Sequence, residues 1–211
     1  GNFKLQGDMT VTGGTFTHNN GTLYFVPGEA VGGVWRTINL PTSLTVGNVR
    51  FSCEFVCGPS VTFDLSGDTL IVTGDLQVER ETFGSDEDIA VNNGSIELQG
   101  DYTVSTGAAG GTTTLTWNGA AAQTYAEANG GVPVAGDITI NKTASGNTVT
   151  LASNASWNAA GQDLTITQGT LSQGASFNLL VNAVNVAATG IWSNIGTGDI
   201  TLGGDVTNAG T

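Results

Sequence analysis

The stretch Gly136-Asp137-Ile138-Thr139-Ile140 combines a turn with the start of a β-strand. Glycine supplies the backbone angles that a tight turn needs, and aspartate hydrogen-bonds its own backbone there. The alternation that follows sends apolar and polar side chains to opposite faces of a sheet. The phrase recurs at Gly7-Asp8-Met9-Thr10-Val11, Gly74-Asp75-Leu76-Gln77-Val78, Gly100-Asp101-Tyr102-Thr103-Val104, Gly198-Asp199-Ile200-Thr201-Leu202 and, more loosely, Gly204-Asp205-Val206-Thr207. Repetition of one turn-and-strand unit predicts a protein with a structural role.

Strand patterns extend over the whole chain. Period-two alternation of apolar and polar residues marks segments such as 61–65, 112–117 and 163–166. Turn clusters such as Asn92-Asn93-Gly94 separate these segments. No stretch of a dozen residues keeps helical spacing of apolar positions without Gly, Thr or Asn interrupting it. The predicted fold class is therefore all-β.

The sequence also contains a longer repeat, which includes several copies of the short Gly-Asp phrase. The segment from Phe3 to Val11 aligns with the segment from Ile96 to Val104, 93 positions later, and matching strands continue beyond it in the same order. We therefore divide the chain into a first long β repeat at 1–94, a second at 95–198 and the start of a third at 199–211.

Two architectures fit these repeats. Each long repeat holds about four turn-and-strand units of roughly 20–25 residues, the size of one turn of a solenoid. A parallel β-solenoid (β-helix) of stacked turns is our first prediction, favoured by the spacing of 26 residues between Gly74 and Gly100 and by the low aromatic content. The alternative is two tandem β-sandwich domains, immunoglobulin-like or jelly-roll, because a repeat of about 90 residues approaches the size of one such domain.

Three features carry a family resemblance: the Gly-Asp phrases, the segment Ile138-Thr139-Ile140-Asn141-Lys142-Thr143 and the segment from Leu164 to Leu171. With them, the whole chain resembles the Gly/Thr/Asn-rich β-solenoid repeats of large microbial surface proteins, such as adhesins and autotransporter passenger domains. The resemblance implies an extracellular structural or adhesive role and transfers no catalytic residue.

Charge and composition narrow the classes of partner. The chain carries 18 acidic and 5 basic residues, a net charge of −13, and its basic residues are scattered. Nucleic acids and anionic membrane surfaces require clustered Lys and Arg, so neither is an expected partner. The longest apolar run has four residues, from Leu23 to Val26, so no membrane insertion is expected. A sparsely charged, acidic chain suits an extracellular or cell-surface location.

One acidic cluster is a candidate metal site. Asp86, Glu87 and Asp88 are adjacent in the loop that joins the two long repeats. Three carboxylates within one turn would hold a hard cation such as Ca²⁺. The competing interpretation is a solvated linker, and no other cofactor is expected.

The two cysteines, Cys53 and Cys57, form a disulfide candidate. On a straight strand their Cα atoms would lie about 13 Å apart, beyond the limit of about 7 Å for a disulfide. Pairing therefore requires a bulge or loop between them. Free buried thiols and cross-links between subunits are the alternatives.

Aromatic residues offer a second candidate site. Trp35 and Trp192 would contact glycans if they lay exposed on one face, whereas aromatic residues at matching repeat positions more often pack in a core. A catalytic site is not expected, because the single histidine, His18, has no nucleophile motif nearby. Glycosidase chemistry, which needs only two suitably spaced carboxylates, is the remote enzymatic alternative.

These observations predict an extracellular structural protein. It would be a segment or subunit of a microbial surface filament, sheath or adhesin that associates with itself, or with adjacent repeats, through strand edges. A carbohydrate-binding β-solenoid module that recognises surface glycans is the alternative.

Overall fold

A computed structural model describes residues 1–13, 21–27, 34–53, 60–80 and 88–210 of the chain. These residues form strands and turns only, and contain no helix of a length and apolarity that would cross a membrane. The strands, in chain order, are β1 (Phe3–Leu5), β2 (Met9–Thr10), β3 (Thr22–Phe25), β4 (Val34–Asn39), β5 (Ser43–Val46), β6 (Asn48–Cys53), β7 (Ser60–Asp64), β8 (Thr69–Val72), β9 (Leu76–Arg80), β10 (Asp88–Asn92), β11 (Ser95–Leu98), β12 (Tyr102–Val104), β13 (Thr114–Trp117), β14 (Gln123–Glu127), β15 (Ile138–Asn141), β16 (Thr148–Leu151), β17 (Ala155–Trp157), β18 (Leu164–Ser172), β19 (Leu179–Val181), β20 (Val184–Ser193), β21 (Ile200–Leu202) and β22 (Val206–Asn208).

The strands stack on three faces. The first face contains β1, β3, β6, β9, β12, β14, β16 and the second halves of β18 and β20. The second face contains β2, β4, β7 and β10, continues through single bridges at 108–109 and 132, and ends with β17, β19 and β21. The third face contains β5, β8, β11, β13, β15, the first halves of β18 and β20, and β22. All of these strand pairs are parallel.

The pairing register gives the length of each turn. Phe3 pairs with Leu23, 20 residues later, and Val49 pairs with Leu76, 27 residues later. Parallel pairing with returns of this length is the geometry of a β-solenoid. The predicted parallel β-solenoid is therefore confirmed, and the alternative of two β-sandwich domains is wrong.

The core is one continuous column of apolar side chains. Strands such as β3, β8, β11 and β13 alternate half-buried and fully buried residues, so every second side chain points inward. Phe25 and Phe51 stack in this interior with ring centroids 5.0 Å apart, and Tyr125 meets Trp157 edge-on at 5.0 Å. Each fully buried side chain of this size contributes about 1.5–3 kcal/mol to folding.

The sheets run without interruption past the predicted repeat boundaries. β8 pairs with β11 across 94/95, and β19 pairs with β21 across 198/199. The segments aligned over 93 positions begin with β1 and β11, which lie on the first and third faces. The unit that repeats in space is thus one turn of the solenoid, and the division into long repeats stays a prediction about the sequence.

Candidate association site at the solenoid ends

Side-chain oxygens at the turn corners connect successive turns. At the corner before the first face, Asn48 Oδ1 accepts a hydrogen bond from the backbone N–H of Asp75 at 2.9 Å. Asp75 Oδ1 in turn accepts from the N–H of Asp101 at 3.0 Å, and Asp101 Oδ1 accepts from Thr124 N–H at 2.7 Å. Each side chain therefore binds the backbone of the turn that follows it. We refer to such a row as a corner ladder.

A second corner ladder precedes the second face. Asn154 Oδ1 accepts from Asn178 N–H at 2.9 Å, and Asn178 Oδ1 accepts from Asp199 N–H at 2.9 Å. The aspartates of four Gly-Asp phrases, Asp8, Asp75, Asp101 and Asp137, accept hydrogen bonds from the following turn and not from their own turn as predicted, because stacking brings the next backbone within reach. Asp64 does bond its own turn, through Ser66 N–H at 2.8 Å.

The glycines of the phrases are explained by close approach between turns. A Cβ atom on Gly100 would lie 2.2 Å from the carbonyl oxygen of Gly74, and one on Gly198 would lie 2.0 Å from that of Phe177. Gly74, Gly100 and Gly198 do not adopt positive φ angles. The expectation that these glycines supply unusual turn angles is therefore wrong, and they are needed because a side chain would strike the preceding turn.

Apolar side chains become exposed where the stack stops at its C-terminal end. In one inward column Val181 is 1% exposed, and its register partner in the last turn, Leu202, is 41% exposed. In another, Val184 is 2% exposed and its partner Val206 is 46% exposed. Within the described residues, no strand covers the outer edges of β21 and β22.

The N-terminal end has the same character. Phe3 is 46% exposed, whereas its register partner Leu23 is fully buried. A Cβ atom on Gly7 would meet nothing within 4 Å, in contrast to the glycines of the later phrases. Among the described strands, β1 pairs only with β3 and β2 only with β4. Both ends therefore present strand edges and core side chains that one more turn would cover.

The two ends differ in charge. Residues 1–53 contain three basic residues, Lys4, Arg36 and Arg50, and two acidic ones, Asp8 and Glu29. Beyond Lys142 the chain contains three aspartates, Asp163, Asp199 and Asp205, and no Lys or Arg. The first quarter of the chain therefore carries a net charge of +1 (3 − 2) and the last third a net charge of −3 (0 − 3).

The predicted Ca²⁺ site falls largely outside the described residues. Asp88 is exposed at the start of β10, while Asp86 and Glu87 lie in the part that the structure does not describe. In the described residues no three His, Cys, Asp or Glu side chains gather in a metal-binding arrangement. The Ca²⁺ site stays a prediction.

Of the two cysteines predicted to pair, only Cys53 lies within the described residues. Cys53 is fully buried at the end of β6 and is not a free cysteine. Cys57 lies outside the described residues, so the pairing of the two stays a prediction.

The two candidate glycan-contact residues occupy different environments. Trp35 lies on β4 with 55% of its surface exposed. Trp192 is half-buried on β20 and packs against the apolar core. The structure therefore does not bring them together as one exposed platform, and Trp35 alone offers an open indole face.

Buried polar side chains are the feature that sequence reasoning missed. Lys142 and Gln123 are each only 1% exposed, and Lys142 Nζ donates hydrogen bonds to Gln123 Oε1 and to the carbonyl oxygen of Ala121. Gln123 Nε2 donates to the carbonyl oxygen of Gly100 at 2.6 Å. The alternation along the strand could have predicted the burial of Lys142, because Lys142 lies two residues after Ile140 and four after Ile138, both of which point inward.

Comparison with known proteins gives no relative: no protein-family model, curated protein or solved structure matches the chain.

Proposed function

We propose that the chain is an extracellular structural protein, a β-solenoid segment or subunit of a microbial surface filament, sheath or adhesin. It associates through its strand edges, with copies of itself or with adjacent repeats of the same protein. The observation that carries this proposal is the parallel stacking of turns within the described residues, in which the edges of β21 and β22 and the side chains of Leu202 and Val206 are open to a further turn. Apolar columns that end in solvent gain free energy when another turn covers them.

The interior supports a role in building a rigid body. The corner ladders bond one turn to the next, and strand pairing on the first and third faces runs without a break through one 15-stranded sheet. Such a stack resists bending because each described turn is bonded to its neighbours along at least two faces. The proposal includes no catalytic role.

The extracellular part of the proposal has its own support. The chain has low charge with an acidic excess, which suits a protein that works in solution outside the cell. Cys53 is not a free thiol, and oxidised cysteines are typical of secreted proteins.

Self-association can be tested directly on the chain. Sedimentation velocity over a range of concentrations should show species larger than the 21.4 kDa chain, and negative-stain images at high concentration should show linear assemblies. A Leu202→Asp/Val206→Asp variant should lose both, because a carboxylate on each exposed core column cannot be buried without a partner. Wild-type protein that stays monomeric at the highest soluble concentration contradicts the proposal.

A carbohydrate-binding module is the second candidate, and the exposed indole of Trp35 favours it. Aromatic faces stack on the apolar faces of sugar rings, and Trp35 points outward from β4. A glycan array with wild-type chain and a Trp35→Ala variant tests it. Binding that is lost in the variant supports this function, whereas an array without any wild-type signal removes it.

A further inference from the structure

We infer that a cleft at the corner between the first and second faces binds an uncharged sugar unit. The cleft has a volume of about 360 Å³ and is lined by Glu127, Ser153, Asn154 and Phe177 together with the turn at 128–131. Small-molecule sites have volumes of about 300–1,000 Å³. We call this site the corner cleft. It lies between turns inside the stack, so it depends neither on what covers the ends nor on the proposed self-association.

The corner cleft exists because three successive corners differ in length. The corner after β14 has four residues, 128–131, before the bridge at Val132, and the corner between β18 and β19 has six, 173–178. The corner between them, from β16 to β17, has only three, 152–154. A short corner between two longer ones leaves a recess, and residues of all three corners line it.

Hydrogen bonds hold both sides of the corner cleft in place. On one side the N–H of Gly131 donates to the Ala128 carbonyl oxygen at 3.1 Å, which closes a tight turn. Both central residues of this turn have positive φ angles, 53° and 75°, as a type I′ turn requires. On the other side Nε2 of the fully buried Gln173 donates to the Phe177 carbonyl oxygen at 2.6 Å. A site whose walls are already fixed loses little conformational entropy when it binds a ligand.

The charged group of the corner cleft is a carboxylate in a fixed position. Glu127 Oε1 accepts hydrogen bonds from the hydroxyl group of Tyr125 at 2.6 Å and from the N–H of Ser156 at 2.7 Å. The backbone N–H of Glu127 donates to Ser153 Oγ at 2.6 Å. Both donors to the carboxylate bond to Oε1, so the second oxygen, Oε2, can accept a hydrogen bond from a ligand hydroxyl group.

The other lining groups complement a sugar ring. Asn154 Oδ1 accepts from the N–H of Asn178 at 2.9 Å, so the NH₂ group is what the Asn154 side chain offers to a ligand. Phe177 is half-buried and supplies an apolar ring. A sugar carries hydroxyl groups around its edge and C–H bonds on its faces. A carboxylate acceptor, an amide donor and an aromatic ring in one cleft fit that combination.

The charge of Glu127 determines which sugars fit. Among the described residues that line the corner cleft, Glu127 is the only charged one. Lys142, the last basic residue of the chain, is buried in the core. The carboxylate of an acidic sugar would therefore face Glu127 with no cation among the lining residues to balance it, and like charges at close range repel. The corner cleft thus selects uncharged sugars and excludes acidic ones.

Saturation-transfer difference NMR on the wild-type chain tests the site. The uncharged probes are methyl glucoside, methyl galactoside, methyl mannoside and N-acetylglucosamine, and the acidic probes are glucuronate and galacturonate. At least one uncharged probe should give a transfer signal, and both acidic probes should give none. Absence of a signal from every uncharged probe, or an equally strong signal from an acidic probe, overturns the inference.

Two variants locate the binding in the corner cleft. Phe177→Leu keeps an apolar side chain and removes the ring, while Glu127→Gln keeps Oε1 as an acceptor and removes the charge. Each should raise the dissociation constant of the bound probe by roughly 10-fold. Glu97→Gln is the matched control, because Glu97 is also half-buried and accepts a hydrogen bond, from Asn118 Nδ2 at 2.8 Å, but lies on the third face. It should bind the probe as the wild-type chain does.

The remaining outcomes separate this site from the other proposals. Binding that is lost in Trp35→Ala and kept in Phe177→Leu and Glu127→Gln would place the sugar on β4, which overturns the inference and supports the second candidate function. Wild-type affinity in both cleft variants overturns it as well. Sedimentation of the same samples measures self-association separately, so failure of the sugar site leaves the proposed structural function standing.

Discussion

The ammonium group of Lys142 donates a hydrogen bond to the side-chain carbonyl oxygen of Gln123 in the interior of the solenoid. Its second acceptor is the carbonyl oxygen of Ala121 at 2.9 Å. Both acceptors are neutral, and burial lowers the pKa of Lys142 from its usual 10.5 to about 8. The folded chain therefore releases this proton at a lower pH than the unfolded chain does.

This difference predicts a rise in stability at alkaline pH. Between the folded pKa of about 8 and the unfolded pKa near 10.5, the unfolded chain holds one more proton at Lys142. The free energy of unfolding should therefore increase by about 2 kcal/mol between roughly pH 7 and pH 9.5. Urea denaturation at each pH, followed by tryptophan fluorescence, measures the free energy of unfolding. The added stability should be lost again as the pH is lowered through 8.

Two variants isolate the contribution of Lys142. Lys142→Met removes the titrating group, so this rise should vanish whatever the change in absolute stability. Lys4→Met removes an exposed lysine on β1 and should keep the rise. A Lys142→Met chain with the wild-type pH profile contradicts the assignment.

A decline in stability is expected above about pH 10. Burial raises the pKa of Tyr102 and of Tyr125 above their usual 10.0, so the folded chain keeps phenol protons that the unfolded chain loses. The stabilising contribution of these two protons is thus complete below pH 10 and is lost at higher pH. A Tyr102→Phe/Tyr125→Phe variant should show a shallower decline, and Tyr24→Phe, on the outward side of β3, should not.

The corner ladder predicts that the side-chain oxygen of Asp101, and not its negative charge, stabilises the fold. Asp101→Ala removes the acceptor of Thr124 N–H and should lower the free energy of unfolding by about 1 kcal/mol. Asp101→Asn keeps a side-chain oxygen in place and should change it by less than about half of that, as Asn48 and Asn178 hold equivalent positions. Equal losses in both variants would show that the carboxylate charge, for instance toward a cation, matters more than the hydrogen bond.

The strands were predictable from sequence because alternation is a local property. In the segment from Ile138 to Lys142, every second residue points inward, and the same rule places Gln123 inward with Tyr125. The charge of Lys142 favours the surface, whereas its place in the alternation favours the interior, and the structure follows the alternation. The alternating position of a residue along its strand thus predicts its burial better here than its residue type does.

The ladders and the ends were less predictable because they depend on contacts between turns. Asn178 follows Asn154 by 24 residues, and Asp199 follows Asn178 by 21, so no fixed period identifies the partners. Turn length varies with the loops, and the loops carry little pattern of their own. β1 and β11, which begin the segments aligned over 93 positions, lie on different faces, so the sequence alignment does not identify partners in space.

The contrast between an inner and an outer turn gives the last prediction. Leu179 is fully buried on β19, while Leu202 on β21 is 41% exposed in the single chain. Leu179→Ala should lower the free energy of unfolding by about 2–5 kcal/mol, since it leaves a cavity in the core. Leu202→Ala should lower it by less, about 1 kcal/mol, when measured in dilute solution, because part of the side chain already lies in water. At concentrations where copies associate, the cost of Leu202→Ala should grow toward that of Leu179→Ala, because the neighbouring copy then covers the column. A cost for Leu202→Ala that does not depend on protein concentration would mean that no second copy covers this end.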